Sequence, residues 1–154
     1  LKAEKSLTVP ELIFPHEIFM SGALKPSLLT NWFDYFETRK DCGAWCLFTG
    51  QIREEQQEEN ALSGIEYSAY PLMAIPLIQQ FIAENQFHED VKCFGVMHSV
   101  GLVRPGQISL FACVAGAHRK PLLEAQTQWI EFLKFGFPVW KRDVFQNGLS
   151  KWKI

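Results

Sequence analysis

His118, Arg119 and Lys120 stand together at the start of a helical pattern in this 154-residue chain, and Lys134 and Lys141 follow at its end and just beyond. These residue types suit the handling of an anion. His118-Arg119 comes directly after Gly116-Ala117, where the strand-like run 107–115 hands over to a helix. Free backbone N–H groups and the helix dipole favour an anion at such a point, and a guanidinium grips a phosphate through two parallel hydrogen bonds. The same pair could equally face water, because helix N-termini without ligands are common. Lys134 falls in the last turn beside Leu133, where a lysine also simply complements the helix dipole. Lys141 follows Trp140 in the apolar run Phe137-Pro138-Val139-Trp140. Beside a half-buried aromatic, a lysine of lowered pKa is fit for proton transfer or covalent chemistry. A lysine whose stem merely covers Trp140 keeps its head in water. Arg53 ends a second strand-like run, 43–52. It either pairs with Glu54 or Glu55 or points into a site, and spacing does not separate the two.

Charge is distributed unevenly around these residues. From His118 to the end there are seven Lys/Arg and three Asp/Glu, a net of +4, whereas residues 1–117 carry eight and fourteen, a net of −6, which sums to the −2 of the whole chain. Cations gathered in one segment of an acidic protein indicate a local anion site and not a surface that coats nucleic acid. No apolar run approaches the ~20 residues of a membrane helix, and the N-terminus does not read as a secretory signal. Cys42, Cys46, Cys93 and Cys113 form no Cys-x-x-Cys pair, and no histidine stands at metal-finger spacing from them. They read as reduced thiols of a cytoplasmic protein. His98 and His118 lack a third metal ligand at helical or hairpin spacing, so neither a metal nor any other cofactor is expected. No glycine-rich dinucleotide or phosphate loop and no Gly-x-Ser-x-Gly elbow is present.

The elements that must position these side chains follow from periodicity. Residues 1–15 read as an N-terminal extension and 16–154 as one domain. A short strand is expected at 17–20. A helix follows over 26–38, with Pro26 in its first turn and Leu28, Leu29, Trp32, Phe33 and Phe36 at three-and-four spacing. Strands are expected at 43–52 and 62–70, separated by the polar block 53–60, which reads as a solvated, mobile loop. Pro71 opens a second helix, Val91–His98 is a strand, and Pro105-Gly106 marks a turn. The run 107–115 is apolar on both faces, as in a doubly covered strand. Arg119–Phe135 is the third helix, ended by Gly136 and Pro138, and Asn147-Gly148 signals a final hairpin. This order, βαββαββαββ, implies an α+β domain with a mixed, mostly antiparallel sheet.

Taken in order, six blocks resemble the large, catalytic subunit of molybdopterin synthase. They are Gly43-Ala44 with Phe48-Thr49-Gly50-Gln51-Ile52-Arg53; Ile65-Glu66-Tyr67-Ser68-Ala69-Tyr70-Pro71 with Met73; His98-Ser99-Val100-Gly101, similar to a turn of that family; Ala117-His118-Arg119; Leu133-Lys134 with Pro138-Val139-Trp140-Lys141; and Gly148 through Trp152. The likeness covers about residues 16–153. It implies an α/β-hammerhead fold and a homodimer. Each protomer of that family also binds a small ubiquitin-like sulfur carrier ending in Gly-Gly. Two sulfurs pass from the carrier's thiocarboxylate to cyclic pyranopterin monophosphate, giving molybdopterin. By motif, substrate-binding positions fall on Arg53, His118 and Arg119, and catalytic ones on Lys134 and Lys141. Ser99 and Ser68 depart from the Arg and Glu usual in the family, so no role is carried to them. The competing readings are a non-catalytic module that binds a ubiquitin-like tail, and an unrelated phosphate-ester enzyme. The second would need a nucleophile or metal set that the sequence does not offer.

Overall fold

The computed structural model describes residues 9–13, 17–57 and 60–153. Its elements run β1 (Glu11–Ile13), β2 (Phe19–Ser21), a 3-10 turn (Pro26–Leu29), α1 (Thr30–Thr38), β3 (Ala44–Gln51), β4 (Gln56–Gln57) and β5 (Asn60–Ala69), then α2 (Pro71–Asn85), β6 (Val91–Val103), β7 (Ile108–Gly116), α3 (Arg119–Phe135), β8 (Val139–Phe145) and β9 (Ser150–Trp152). The sheet is ordered β3-β7-β6-β5-β8-β9. All of these neighbours are antiparallel, while β1 and β2 lie parallel to β6. The expected α+β class with a mixed, mostly antiparallel sheet is what the chain adopts.

β6 organises the sheet. Its residues 91–98 pair with β7. Its other edge receives β1 at 93–95, β2 at 98–100 and β5 at 101–103. Gly101, at φ +91°, supplies a bend that a β-branched residue would resist. The block 98–101, expected to be a turn, therefore lies within a strand. It turns the strand's path without ending it, because β1, β2 and β5 keep the edge paired. The expected extension 1–15 is likewise not all outside the domain. Glu11–Ile13 joins the sheet, and Glu11 holds Arg39 at 2.9 Å, whereas residues 1–8 and 14–16 lie outside those described.

α3 packs on the sheet through Leu122, Ala125, Gln126, Trp129 and Leu133, the three-and-four stripe read from the sequence. Trp129 is fully buried among Phe81, Phe94 and Phe132, and its indole N–H donates to the Gly95 carbonyl at 3.1 Å. Truncating it to alanine would cost roughly 3–5 kcal/mol. A second core lies on the other side, where Trp32 and Phe36 of α1 meet Cys93, Met97 and Phe111. Two helices thus lock opposite faces of the central strands, and the ends of α3 are held rigidly.

The polar block departs from the loop expected. Gln56 and Gln57 pair with Ala61 and Asn60 in a short hairpin, and the Leu62 amide donates to the Glu55 carbonyl at 2.9 Å. Backbone pairing with β5 orders a segment whose composition alone predicts none. Residues 58 and 59 lie outside those described.

Candidate functional site

The N-terminal end of α3 is built by a close backbone approach. A Cβ added at Gly116 would stand 1.9 Å from the Asp90 carbonyl oxygen, so only glycine lets the end of β7 press there. The Ala117 amide then donates to that same carbonyl at 2.9 Å. His118 follows as the residue capping α3, in extended conformation, and its Nδ1 lies 2.9 Å from Asp90 Oδ2. With Nδ1–H donated to the carboxylate, Nε2 is left outward. His118 and Arg119 are both exposed. The arrangement is an open cationic corner at a helix N-terminus, able to receive an anion from outside.

The other end of α3 is crowded. Lys134 lies over the Phe135 ring, 5.1 Å from its centroid. Lys141 of β8 stands opposite Tyr67 of β5, on the same strand face as Asp143 by the two-residue alternation. Asp143 is 2% exposed, and its Oδ1 lies 3.2 Å from the Lys153 ammonium. That oxygen makes the ion pair without the alignment of a hydrogen bond. Lys153 also approaches Glu55 at 3.8 Å, and its backbone amide donates to the Lys141 carbonyl. Burial holds the Lys141 ammonium below the ordinary lysine range. The charges of Lys153 and Lys134 push the same way, against Asp143 and Glu55. A lysine so placed gives up its proton more readily than an ordinary solvated one.

Beneath it lies His98. Its ring is buried, and Nδ1–H donates to the Ser99 carbonyl at 2.8 Å. Tyr67 meets it edge-on, with centroids 4.9 Å apart, and the Tyr67 hydroxyl donates to Ser109 at 3.3 Å. Desolvation lowers the His98 pKa to about 4, so the imidazole is neutral near pH 7. Burial also raises the Tyr67 phenol.

The five candidate positions therefore divide. Lys134 and Lys141 share one electrostatic cluster. His118 and Arg119 lie at the far end of α3, which at 1.5 Å per residue is about 22 Å away. Arg53, largely exposed, pairs with Glu55 at 3.1 Å, and Glu55 in turn touches the lysine cluster through Lys153. A cavity of about 570 Å³ beside the polar hairpin is lined by residues that include Glu54, Glu55, Arg104 and Gln146, and by none of the five. A single chain does not gather all five around one ligand. Among the described residues no group of three or more His, Cys, Asp and Glu could hold a metal ion, and no helix is long and apolar enough to cross a membrane.

The family model described as MoaE protein matches residues 25–135. This chain belongs to the MoaE family. Among its relatives is the bovine molybdopterin synthase catalytic subunit, 34% identical over 112 residues. That match covers 73% of this chain and 59% of the bovine protein. A crystal structure of molybdopterin synthase from Staphylococcus aureus superposes with a TM-score of 0.73 at 26% identity, covering 92% of this chain and 98% of that one. A protein–protein complex of subunits 1 and 2 of the molybdopterin-converting factor from Helicobacter pylori contains a chain that matches with a TM-score of 0.69 at 27% identity, covering 87% of each.

In this MoaE chain the sequence reading missed the residues that surround Lys141. Lys153 and Asp143 were legible in principle. Counting outward from the Asn147-Gly148 turn puts Arg142 opposite Trp152, and so Lys153 beside Lys141. His98 comes from β6 and Glu55 from the link between β3 and β4, and no local signal places them there.

Proposed function

We propose that the chain is a molybdopterin synthase catalytic subunit, moving two sulfurs from the thiocarboxylated Gly-Gly terminus of a small ubiquitin-like carrier onto cyclic pyranopterin monophosphate. The observation that carries this reading is the partly desolvated Lys141 with Lys134 beside it. Each transfer forms a carbon–sulfur bond on the pterin side chain and breaks the carrier's acyl–sulfur bond, with water or a lysine amine taking the acyl group. The negative charge that develops on the acyl oxygen, and on the phosphate oxygen released as the ring opens, is what nearby ammonium groups stabilise. A lysine whose pKa burial lowers can also accept or return the protons. The name borne by the bovine relative and the Helicobacter pylori complex of two different proteins support the same assignment.

In this reading His118 and Arg119 hold the phosphate, with Arg53 at the rim, and the chain acts as a homodimer. The two cation clusters lie at opposite ends of a rigid 17-residue helix. A site using both must take His118 and Arg119 from the second protomer. The setting is the cytoplasm, where the free thiols remain reduced.

The test is turnover of purified protein with thiocarboxylated carrier and cyclic pyranopterin monophosphate, with the pterin products separated chromatographically. Molybdopterin should form, and Lys141→Ala should abolish it. No product from the parent chain would refute the assignment.

A further inference from the structure

Asp143 is a buried carboxylate with three lysines around it. It is 2% exposed, and a carboxylate so placed is strongly disfavoured unless a cation pairs with it. Lys141 lies two residues before it, on the same face of β8. Lys151 stands directly opposite on β9, and Lys153 follows on the diagonal, across from Lys141. The carboxylate takes the diagonal partner. Its Oδ1 lies 3.2 Å from the Lys153 ammonium, and among the described residues neither Lys141 nor Lys151 forms an ion pair with it.

Backbone pairing supports that choice. The Lys153 amide donates to the Lys141 carbonyl at 3.0 Å, which fixes where its side chain starts. Lys153 is partly buried, whereas Lys151 is exposed. Its ammonium also approaches Glu55 at 3.8 Å. Arg142, on the other face of β8, is occupied with Glu66.

The consequence falls on Lys141. Around it are Tyr67 of β5, His98 of β6, Lys134 of α3, Asp143 of β8, and Glu55 and Lys153 beside them. Both carboxylates are engaged by Lys153, and Glu55 by Arg53 as well. His98 is uncharged near pH 7. Lys141 is thus left beside two other lysines with no anion of its own. Burial comes first among the causes that lower its pKa, and the charge of Lys153 comes next. Without Lys153, Asp143 would be a buried anion in need of a cation. Lys141 is already partly desolvated, so it would lose less hydration in answering than the exposed Lys151. That pairing would hold the Lys141 proton in place.

We propose that Lys153 is a positioning residue: it occupies Asp143, so that the Lys141 amine stays out of an ion pair and remains available for sulfur transfer. This rests on the sulfur-transfer reading given above and adds a third lysine to it, one that acts through Lys141.

The test reads Lys141 directly. Trace acetylation with acetic anhydride over a range of pH, followed by mass spectrometry of the Lys141 peptide, gives the pH midpoint at which that amine becomes reactive. In Lys153→Met the midpoint should move to higher pH. Molybdopterin formation at pH 7 should lose roughly tenfold in kcat, with KM for carrier and pterin held. Lys153→Arg, which keeps the cation, should restore both. Lys153→Met/Asp143→Asn should bring the midpoint back towards the parent, since the carboxylate that captured Lys141 is gone. A pair that mattered only to the fold would leave the double variant as impaired as the single one. If Lys153→Met does not fold by circular dichroism, Lys153→Gln, which keeps a hydrogen-bond donor for Asp143, is measured in its place. An unmoved midpoint in the single variant overturns the proposal, including the case in which Asp143 turns to Lys151 instead. So does a midpoint that Lys153→Arg does not restore, and so does one that stays high in the double variant. If the parent chain makes no molybdopterin, the sulfur-transfer reading falls, and the acetylation midpoints still decide whether Lys153 keeps Lys141 unpaired.

Discussion

The two ends of α3 carry cations of similar formal charge and opposite physical character. At the N-terminal end His118 and Arg119 are exposed, and His118 is steadied by Asp90 at 2.9 Å. At the C-terminal end Lys141 is half-buried and surrounded by Lys134, Lys153, Asp143, Glu55 and neutral His98. The first end can receive an anion with little reorganisation. The second lowers the pKa of a lysine by burial, which binding alone does not require. In the proposed function the contrast separates holding a phosphate from moving protons or acyl groups, along the 17 residues of α3.

The largest effect expected is on turnover at the crowded end. Lys141→Ala and Lys134→Ala should each nearly abolish molybdopterin formation while shifting stability by well under ~1 kcal/mol, since neither side chain belongs to the core. Turnover and thermal melts on the same samples check both halves. Normal turnover by either variant would remove that lysine from the chemistry.

Mixing two dead variants addresses the distance between the ends. Lys141→Ala and Arg119→Ala protomers, unfolded together and refolded one to one, should regain about a quarter of parental activity. In the proposed homodimer half of the dimers are then mixed, and each mixed dimer has one intact site of two. If both ends served one site within a protomer, no activity would return.

Arg119→Lys tests the phosphate contact proposed for this residue. A point charge does not reproduce a two-pronged guanidinium contact, so pterin affinity should fall roughly tenfold, about 1.4 kcal/mol. Equal affinity, measured by equilibrium dialysis, would mean that the fork is unused.

His98 makes the crowded end sensitive to acid. Its folded pKa of about 4 lies below the unfolded value of 6.5. As pH falls from 6.5 towards 4 the unfolded chain takes a proton that the folded chain refuses. Stability is therefore full above that window and lost within it, by on the order of 3 kcal/mol at most. Urea titrations at pH 7 and pH 4.5 should show the loss in the parent and a smaller one in His98→Gln. An equal loss in both would place the acid sensitivity elsewhere.

The smallest effect is expected at the polar hairpin between Arg53 and Asn60. Replacing residues 54–60 by Asn-Gly removes the ion pairs of Glu55 with Arg53 and Lys153, and exposed pairs contribute about 0–1 kcal/mol each. The melting temperature should barely move. If the hairpin covers bound pterin, KM should rise; unaltered kinetics would make it a passive connection.

Legibility varied with how local each signal is. The stripe from Leu122 to Leu133 read correctly because helical periodicity is written within one segment. The final hairpin read correctly because Asn147-Gly148 sets its own turn. β1 did not, since three residues carry no periodicity and their partners, Cys93–Gly95, lie about eighty residues on. Gln56–Gln57 read as loop because backbone pairing, which composition does not report, orders it. The block 98–101 read as a turn because its glycine bends a strand that three other strands keep paired.

The sequence alone determined the helices, the gathering of cations after His118, and the six ordered blocks that carry the family likeness, because each is a property of neighbouring residues. Only the tertiary structure decided that Lys141 shares its surroundings with Lys153, Asp143, Glu55 and His98, and that His118 and Arg119 do not. Strand register between distant segments sets the first, and the fixed rise of a packed helix sets the second.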